Sequence, residues 1–366
     1  MKKTLIALAL TTLPVAAMAE VVLYGQMKAG YEVNSSKTTD KDRSPYYNGI
    51  ADYGSRIGFK GSEDLGNGLK AIWQVESAIS LGNSDHVSNG WADRDSFIGL
   101  QHDKFGTVRA GRISNAMNAN MDVVDAWEYG SDALGLGKFT RTDARYVGIA
   151  YDSPEWAGFN FNVLYSPRDN VNGGKRYKED GIGSGDKYSV GLNYQNSGFY
   201  AKYGFDYLKN SAVKTDVNKL GVETYELKDG QVHRLEGGYD ANNLFVGVGY
   251  QYTKNTSSYF SDLETAKVVG DHDLIEDNQG QEAALTVGYH FGNVFPKISY
   301  AHGWDVKVNG TKKKNTKYDQ IVLGADYDFS KRTTANVQAG WLREGLGEDA
   351  GKTKTTAFGV GLKHTF

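Results

Sequence analysis

From Val21 to Tyr31 apolar and polar residues alternate: Leu23, Met27, Ala29 and Tyr31 share one face, Gln26 and Lys28 the other. Successive side chains of a strand point to opposite faces, so the pattern predicts a strand with one apolar side. Residues 68–77 repeat it, with Leu69, Ala71, Trp73 and Val75 against Lys70, Gln74 and Glu76. So do residues 283–291, through Ala283, Leu285, Val287, Tyr289 and Phe291, and residues 358–366, through Phe358, Val360, Leu362 and Phe366. The connections come in two kinds. Short ones include residues 62–67, 154–158, 196–197, 241–243 and 329–332. Long ones, rich in Gly, Asn, Asp, Ser and Lys, cover 34–52, 81–93, 114–143, 169–186, 210–230, 256–280, 306–317 and 344–354 and read as solvated loops. Tight turns alternating with eight long loops predict about sixteen strands in an all-β, antiparallel transmembrane β-barrel. A soluble β-sandwich would show the same alternation. The even spacing over the whole chain and the terminal in-phase Phe366 favour the barrel.

Mean hydropathy is -0.51, which excludes a helical membrane bundle but not a barrel, since only alternate residues of a barrel strand meet lipid. Tyr (24) and Gly (45) are abundant, which suits β structure and a membrane–water interface. No cysteine is present, so disulfides, thiolate metal sites and cysteine nucleophiles are excluded. The net charge of -3 gives no reason to expect nucleic acid. At the start, Lys2-Lys3, the apolar run 5–10 and Ala17-Met18-Ala19 fit an export signal cleaved after Ala19. That leaves one domain over 20–366, and loss of the two lysines takes the net charge from -3 to -5. A membrane anchor is disfavoured by the short apolar core and Pro14.

Several runs together resemble the neisserial-type major porins of the Gram-negative porin family. They are Ser55 to Gly61, Glu63 to Glu76, Ser96 to Leu100, Tyr151 to Glu155, Phe291 to Val294, Ser299 to Gly303, Ala325 to Thr333 and Val360 to Phe366. The resemblance implies a homotrimer of sixteen-stranded barrels in the Gram-negative outer membrane. It also implies passive diffusion of ions and small hydrophilic solutes, and recognition of the closing strand (Phe358, Val360, Leu362 and Phe366) by the barrel-assembly machinery. Trimer contacts would involve the first strands, including Leu23, Met27 and Ile57.

A channel needs a water-filled lumen with a narrow charged waist. The resemblance implies that the third loop, 114–143, folds into the lumen as a constriction loop. Its Asp122, Asp125, Glu128 and Asp132 are the candidate acids. Strand parity turns Arg56, Lys60, Lys70 and Arg109 inward as the opposing cations. Arg112 is out of phase and rests on the resemblance alone; Arg94 and Arg145 flank strand starts. The chain lacks the family's lysine in the acidic part of this loop, which predicts near-neutral or slightly cationic selectivity. Gly135-Leu136-Gly137-Lys138 only echoes a phosphate loop, and Asp271-His272-Asp273 reads as loop rather than metal site. No cofactor, metal or catalytic residue is expected. A selective channel with a binding track, a barrel hydrolase and a secreted lectin are weaker readings: the aromatics fall on the apolar faces, and no Ser, His and acid converge in sequence.

Overall fold

The computed structural model describes residues 20–39, 46–82, 90–121, 123–168, 185–217, 223–260, 267–269, 272–348 and 350–366. The leader expected over 1–19 lies outside the described residues, as do Asp122, Asp271 and the side chains of His272 and Asp273.

Sixteen wall strands follow one another in chain order. They are β1 (Glu20–Thr38), β2 (Tyr46–Asp52 continued by Arg56–Gly66), β3 (Leu69–Ala78), β4 (Ser96–His102), β5 (Gly106–Ser114), β6 (Arg145–Asp152), β7 (Phe159–Ser166) and β8 (Lys187–Asn196). Then come β9 (Phe199–Val217), β10 (Glu223–Ala241), β11 (Leu244–Lys254), β12 (Asn278–Tyr289), β13 (Val294–Gly303), β14 (Tyr318–Ser330), β15 (Thr333–Gly345) and β16 (Lys352–Thr365). Each pairs antiparallel with its neighbour in sequence, and β1 pairs with β16 from Gln26↔Thr365 to Thr38↔Thr353, which closes the barrel. Closure leaves no unpaired edge, the one β solution available to a chain in lipid.

The burial pattern is inverted relative to a soluble protein. Ile98 is 67% exposed and Leu100 50%, whereas Arg234, Gln251, Glu282 and Gln320 are fully buried. The apolar rows therefore face lipid and the polar rows face the interior. Aromatic side chains crowd the short-turn end of the outer face, including Phe105, Trp156, Phe199, Phe291 and Phe329, and Tyr46, Trp91 and Trp304 stand at the loop end. Two such girdles bound a lipid-facing band.

Two predicted loops are shorter than expected. β1 runs on to Thr38, and β9 and β10 extend to Val217 and from Glu223, so 34–52 and 210–230 are largely strand. Beyond the bilayer both faces of a strand can be polar, so alternation fades although the backbone ladder continues.

Candidate pore constriction

Loop 115–144 leaves β5 and runs along the inside of the wall. It begins with a short helix, α1 (Ala116–Asn120), capped by the Asn115 side chain, which accepts from Asn118 N at 3.0 Å. The Asn115 amide also donates to buried Asp206 at 2.7 Å, and Ala116 N donates to Ser189 Oγ at 2.8 Å. Further on, Trp127 Nε1 donates to Ser299 Oγ at 2.8 Å, and the Lys297 ammonium reaches the Ala126 carbonyl. Glu32, buried on β1, accepts from Gly130 N and Ser131 N at 2.8 and 2.9 Å. One 3-10 turn, Asp132–Leu134, then lies against β14, where Gln320 donates to the carbonyls of Asp132 and Gly135. The loop returns through α2 (Gly137–Thr140), with Lys138 paired to Glu344 at 2.6 Å, Arg141 to Glu282, and Asp143 to Arg234 at 3.1 Å. Val124, Leu134, Leu136 and Phe139 are wholly buried between loop and wall. These partners come from β1 and β8 to β15, so the loop covers much of the inner wall. The phosphate-loop echo is absorbed: Gly135 packs under the Tyr129 ring and Lys138 holds β15.

The inner face of the first strands is the part the loop leaves open. Here β2 breaks at Tyr53–Ser55. Gly54, at φ +83, makes the turn, and the Asp52 carboxylate accepts from Gly54 N and Ser55 N at 2.8 and 2.9 Å. The Ser55 hydroxyl bridges to both backbone groups of Lys28, at 2.9 and 3.0 Å, which restores the ladder and sets the inward direction of Arg56. A charged cluster follows. Glu76 lies 2.6 Å from Arg94 and 3.5 Å from Arg56, and accepts from Tyr24 OH at 3.1 Å. Arg145 lies 2.7 Å from Asp95, which also accepts from Ser114 Oγ at 2.7 Å. Glu128, at the near end of the inserted loop, is held between Lys28 at 2.7 Å and Lys363 at 2.8 Å. Burial works against its charge, but the two ammonium groups hold its carboxyl below the usual carboxylate range.

The candidate residues thus separate. Arg56, Arg94, Arg145 and Glu128 fall in or beside one cluster. Asp125 turns into the loop's own packing, accepting from Tyr129 OH at 2.7 Å and Leu136 N at 3.2 Å. Burial pushes its carboxyl up to about 7, although both hydrogen bonds oppose the shift. Asp132 opens the 3-10 turn. Arg109 points inward as parity predicts, but makes a two-pronged pair with Asp152 at 2.8 and 2.9 Å near a short turn. Lys60 stands 5.3 Å from the Tyr24 ring centre, four residues beyond Arg56 toward the turns. Lys70 lies opposite Asp64 beside the Asn67–Gly68 turn. The register pairs Arg112 with Ser96 and Val147, one step short of the Ser114–Arg145 pair that engages Asp95 in the cluster. Lys28, Lys363, Glu76, Asp95 and Glu32 were not among the candidates. Parity already put Lys28 and Glu76 on inner faces; nothing in the sequence said which inner residues the loop would meet.

A family model described as Gram-negative porin matches residues 19–366. The major outer membrane protein P.IB of Neisseria sicca is 47% identical over 380 residues, with all of both chains covered. The proteins of the same name from Neisseria lactamica and Neisseria gonorrhoeae are 46% and 43% identical, again over the full length of both. Among solved structures, the anion-selective porin from Comamonas acidovorans superposes with a TM-score of 0.68 at 22% identity, covering 95% of this chain and 100% of that one. Salmonella typhi OmpF in complex with daunomycin gives 0.61 at 20% identity, covering 95% and 100%.

Proposed function

Because the chain belongs to the Gram-negative porin family, an outer-membrane class of passive diffusion channels, we propose that its conducting path narrows between the inserted loop 115–144 and the inner face of β1 to β6. The carrying observation is that Lys28, Arg56, Arg94, Arg145 and Lys363 with Glu76 and Asp95 stand beside the near end of the loop, and Glu128 of the loop joins them. A hydrated solute crossing there meets fixed charges of both signs at short range. Small polar molecules can exchange water contacts for these groups; apolar ones of similar size cannot, so passage favours the polar.

Five cations stand with three carboxylates in this cluster, an excess of two positive charges. We read this as a weak anion preference, opposite in sign to the expectation from the loop acids. Asp125 faces into the loop, so it contributes little to the waist. The preference stays weak because salt screens exposed charge beyond roughly 8–10 Å. We also propose that the working form is a homotrimer meeting through the apolar outer face of the first strands, where Leu23 and Met27 are exposed. Residues 1–19 are an export leader, and the closing strand is what the assembly machinery reads. The test of the waist is the zero-current potential of single channels in a salt gradient: wild type sits on the anion side, and Arg94→Ala moves it toward cations. No movement for Arg94→Ala, Arg56→Ala and Arg145→Ala alike removes this cluster from the narrowest section.

A further inference from the structure

On the loop side of the charged cluster, the described inner row of β16, β1 and β2 is uncharged. Glu32 on β1 and Leu342 on β15 are buried inside the barrel, which fixes the parity of that row. Beyond Glu32 it consists of Asn34, Ser36 and Thr38 on β1, Thr355 and Thr353 on β16, and Tyr47 on β2. Glu344, opposite Thr353 on β15, is engaged by Lys138 of the inserted loop. The hydroxyls meet in pairs across the strands: Ser36 Oγ lies 2.8 Å from Thr355 Oγ1, and Thr38 Oγ1 lies 3.1 Å from Thr353 Oγ1. A hydroxyl donates once and accepts twice, so each pair keeps a proton and lone pairs for a further partner.

Tyr47 stands directly opposite Asn34. Its ring runs along β2 across Gly49, where a Cβ would lie 2.8 Å from the Tyr47 hydroxyl oxygen. The missing side chain lets the ring lie along the wall, and Tyr47 stays 38% exposed. Neighbouring strands are about 4.8 Å apart and alternate residues of a strand about 6.6 Å, so Tyr47, Asn34, Ser36 and Thr355 are within reach of a short oligosaccharide. The other side of the mouth is filled. After β11 the chain turns at Asn255, φ +53, and Tyr259 and Phe260 pack with Tyr318, Val306 and Val308. A solute arriving from the loop end therefore meets β16 to β2 before the charged cluster.

We propose that Tyr47, Asn34, Ser36 and Thr355 form an entry subsite for neutral sugars. The C–H face of a pyranose ring packs on the tyrosine, and its hydroxyls exchange hydrogen bonds with the amide and the two hydroxyls. A simple ion finds no opposite charge here to replace its hydration. The subsite rests on the channel reading above and adds a solute class to it.

The test is ion current through the full protein in planar bilayers, with three probes added at the loop side. Maltotriose carries pyranose rings, sorbitol carries hydroxyls without a ring, and polyethylene glycol of equal mass only fills volume. Maltotriose lowers the wild-type current saturably; sorbitol and polyethylene glycol do not. Tyr47→Ala raises the half-saturating maltotriose concentration about tenfold, and Tyr47→Phe keeps it within about twofold of wild type. Gly49→Val, which displaces the ring without removing it, behaves as Tyr47→Ala. Heat-modifiable gel migration verifies that each variant is folded. Equal half-saturation in wild type, Tyr47→Ala and Gly49→Val overturns the subsite. Saturable block by sorbitol overturns the stacking role of Tyr47, and equal block by polyethylene glycol shows plain obstruction and overturns the site. A wild type that conducts ions but shows no saturable block overturns this subsite alone; a wild type that conducts nothing overturns the channel reading with it.

Discussion

At the scale of single residues, the inserted loop turns on which carboxylates are free and which are engaged. Glu128 is gripped by two lysines from the wall, whereas Asp125 is half-covered within the loop. The Asp125 carboxyl is raised from 3.8 to about 7, chiefly by burial, so the packed loop favours its protonated form. Between those two values the packed loop binds more protons than a released one. Its stability therefore falls as pH rises through that window and is lowest above it. Measured relative to a free peptide carrying the same sites, which removes trypsin's own pH dependence, cleavage at Lys138 and Arg141 should accordingly be faster at about pH 8 than at about pH 6 in wild type. Asp125→Asn should abolish the difference; an unchanged pH dependence in that variant would show that another group controls the loop. Arg112 supplies a second residue-scale contrast. Its partners across the sheet are Ser96 and Val147, whereas Arg145 is paired to Asp95 in the cluster; Arg112→Ala should therefore shift the zero-current potential less than Arg145→Ala, which moves it toward cations.

At the scale of elements, the loop is fixed to the wall by contacts that have no counterpart in its own sequence. Glu32 satisfies two backbone donors at the start of the 3-10 turn. Leaving both unpaired costs about 1–3 kcal/mol for each. Glu32→Ala should therefore release this end of the loop, seen as noisier open-channel current with heat-modifiable gel migration unchanged. Quiet current in Glu32→Ala would mean that the remaining contacts hold the turn unaided. Gly340 tests the same junction from the other side. A Cβ there would lie 1.7 Å from the Ala133 carbonyl oxygen, which is backbone and cannot step aside alone. Gly340→Val should push the turn into the lumen and lower single-channel conductance, with the barrel intact. Conductance equal to wild type would count against the loop as the narrowing element.

For the whole molecule, closure is the governing event. β1 and β16 are the first and last wall strands, and their ladder joins the sheet into a cylinder. Phe366 completes it, exchanging backbone hydrogen bonds with Gly25 at 3.1 Å in both directions. Phe358, Val360 and Leu362 present their side chains to lipid on the same strand. Deleting Phe366 should strip the last ladder pair and the terminal aromatic together, leaving periplasmic aggregate in place of surface protein. Normal surface levels of the deletion would rule out its role in assembly. For the proposed trimer, cross-linking in mild detergent should yield three-chain species; full conductance from single chains would refute it.

The wall was legible from the order of residues alone. Alternation at Leu23, Met27 and Tyr31, or at Phe358, Val360 and Leu362, follows from the two-residue period of a strand, and lipid on one side makes that period obligatory. The spacing of turns and loops then set the strand count. Where strands pass beyond the bilayer, as in β9 and β10, that constraint lapses and alternation no longer marks them. Parity also told which side Arg56, Arg109, Lys28 and Glu76 face. It could not tell which of them meet, since side-chain partners on β1, β3 and β16 are set by closure and by the path of a thirty-residue loop across the lumen. Asp125 and Glu128 are equally acidic in the sequence. Only the tertiary structure buries one against Tyr129 and gives the other to Lys28 and Lys363, because desolvation and ion pairing are properties of position in space and not of residue type.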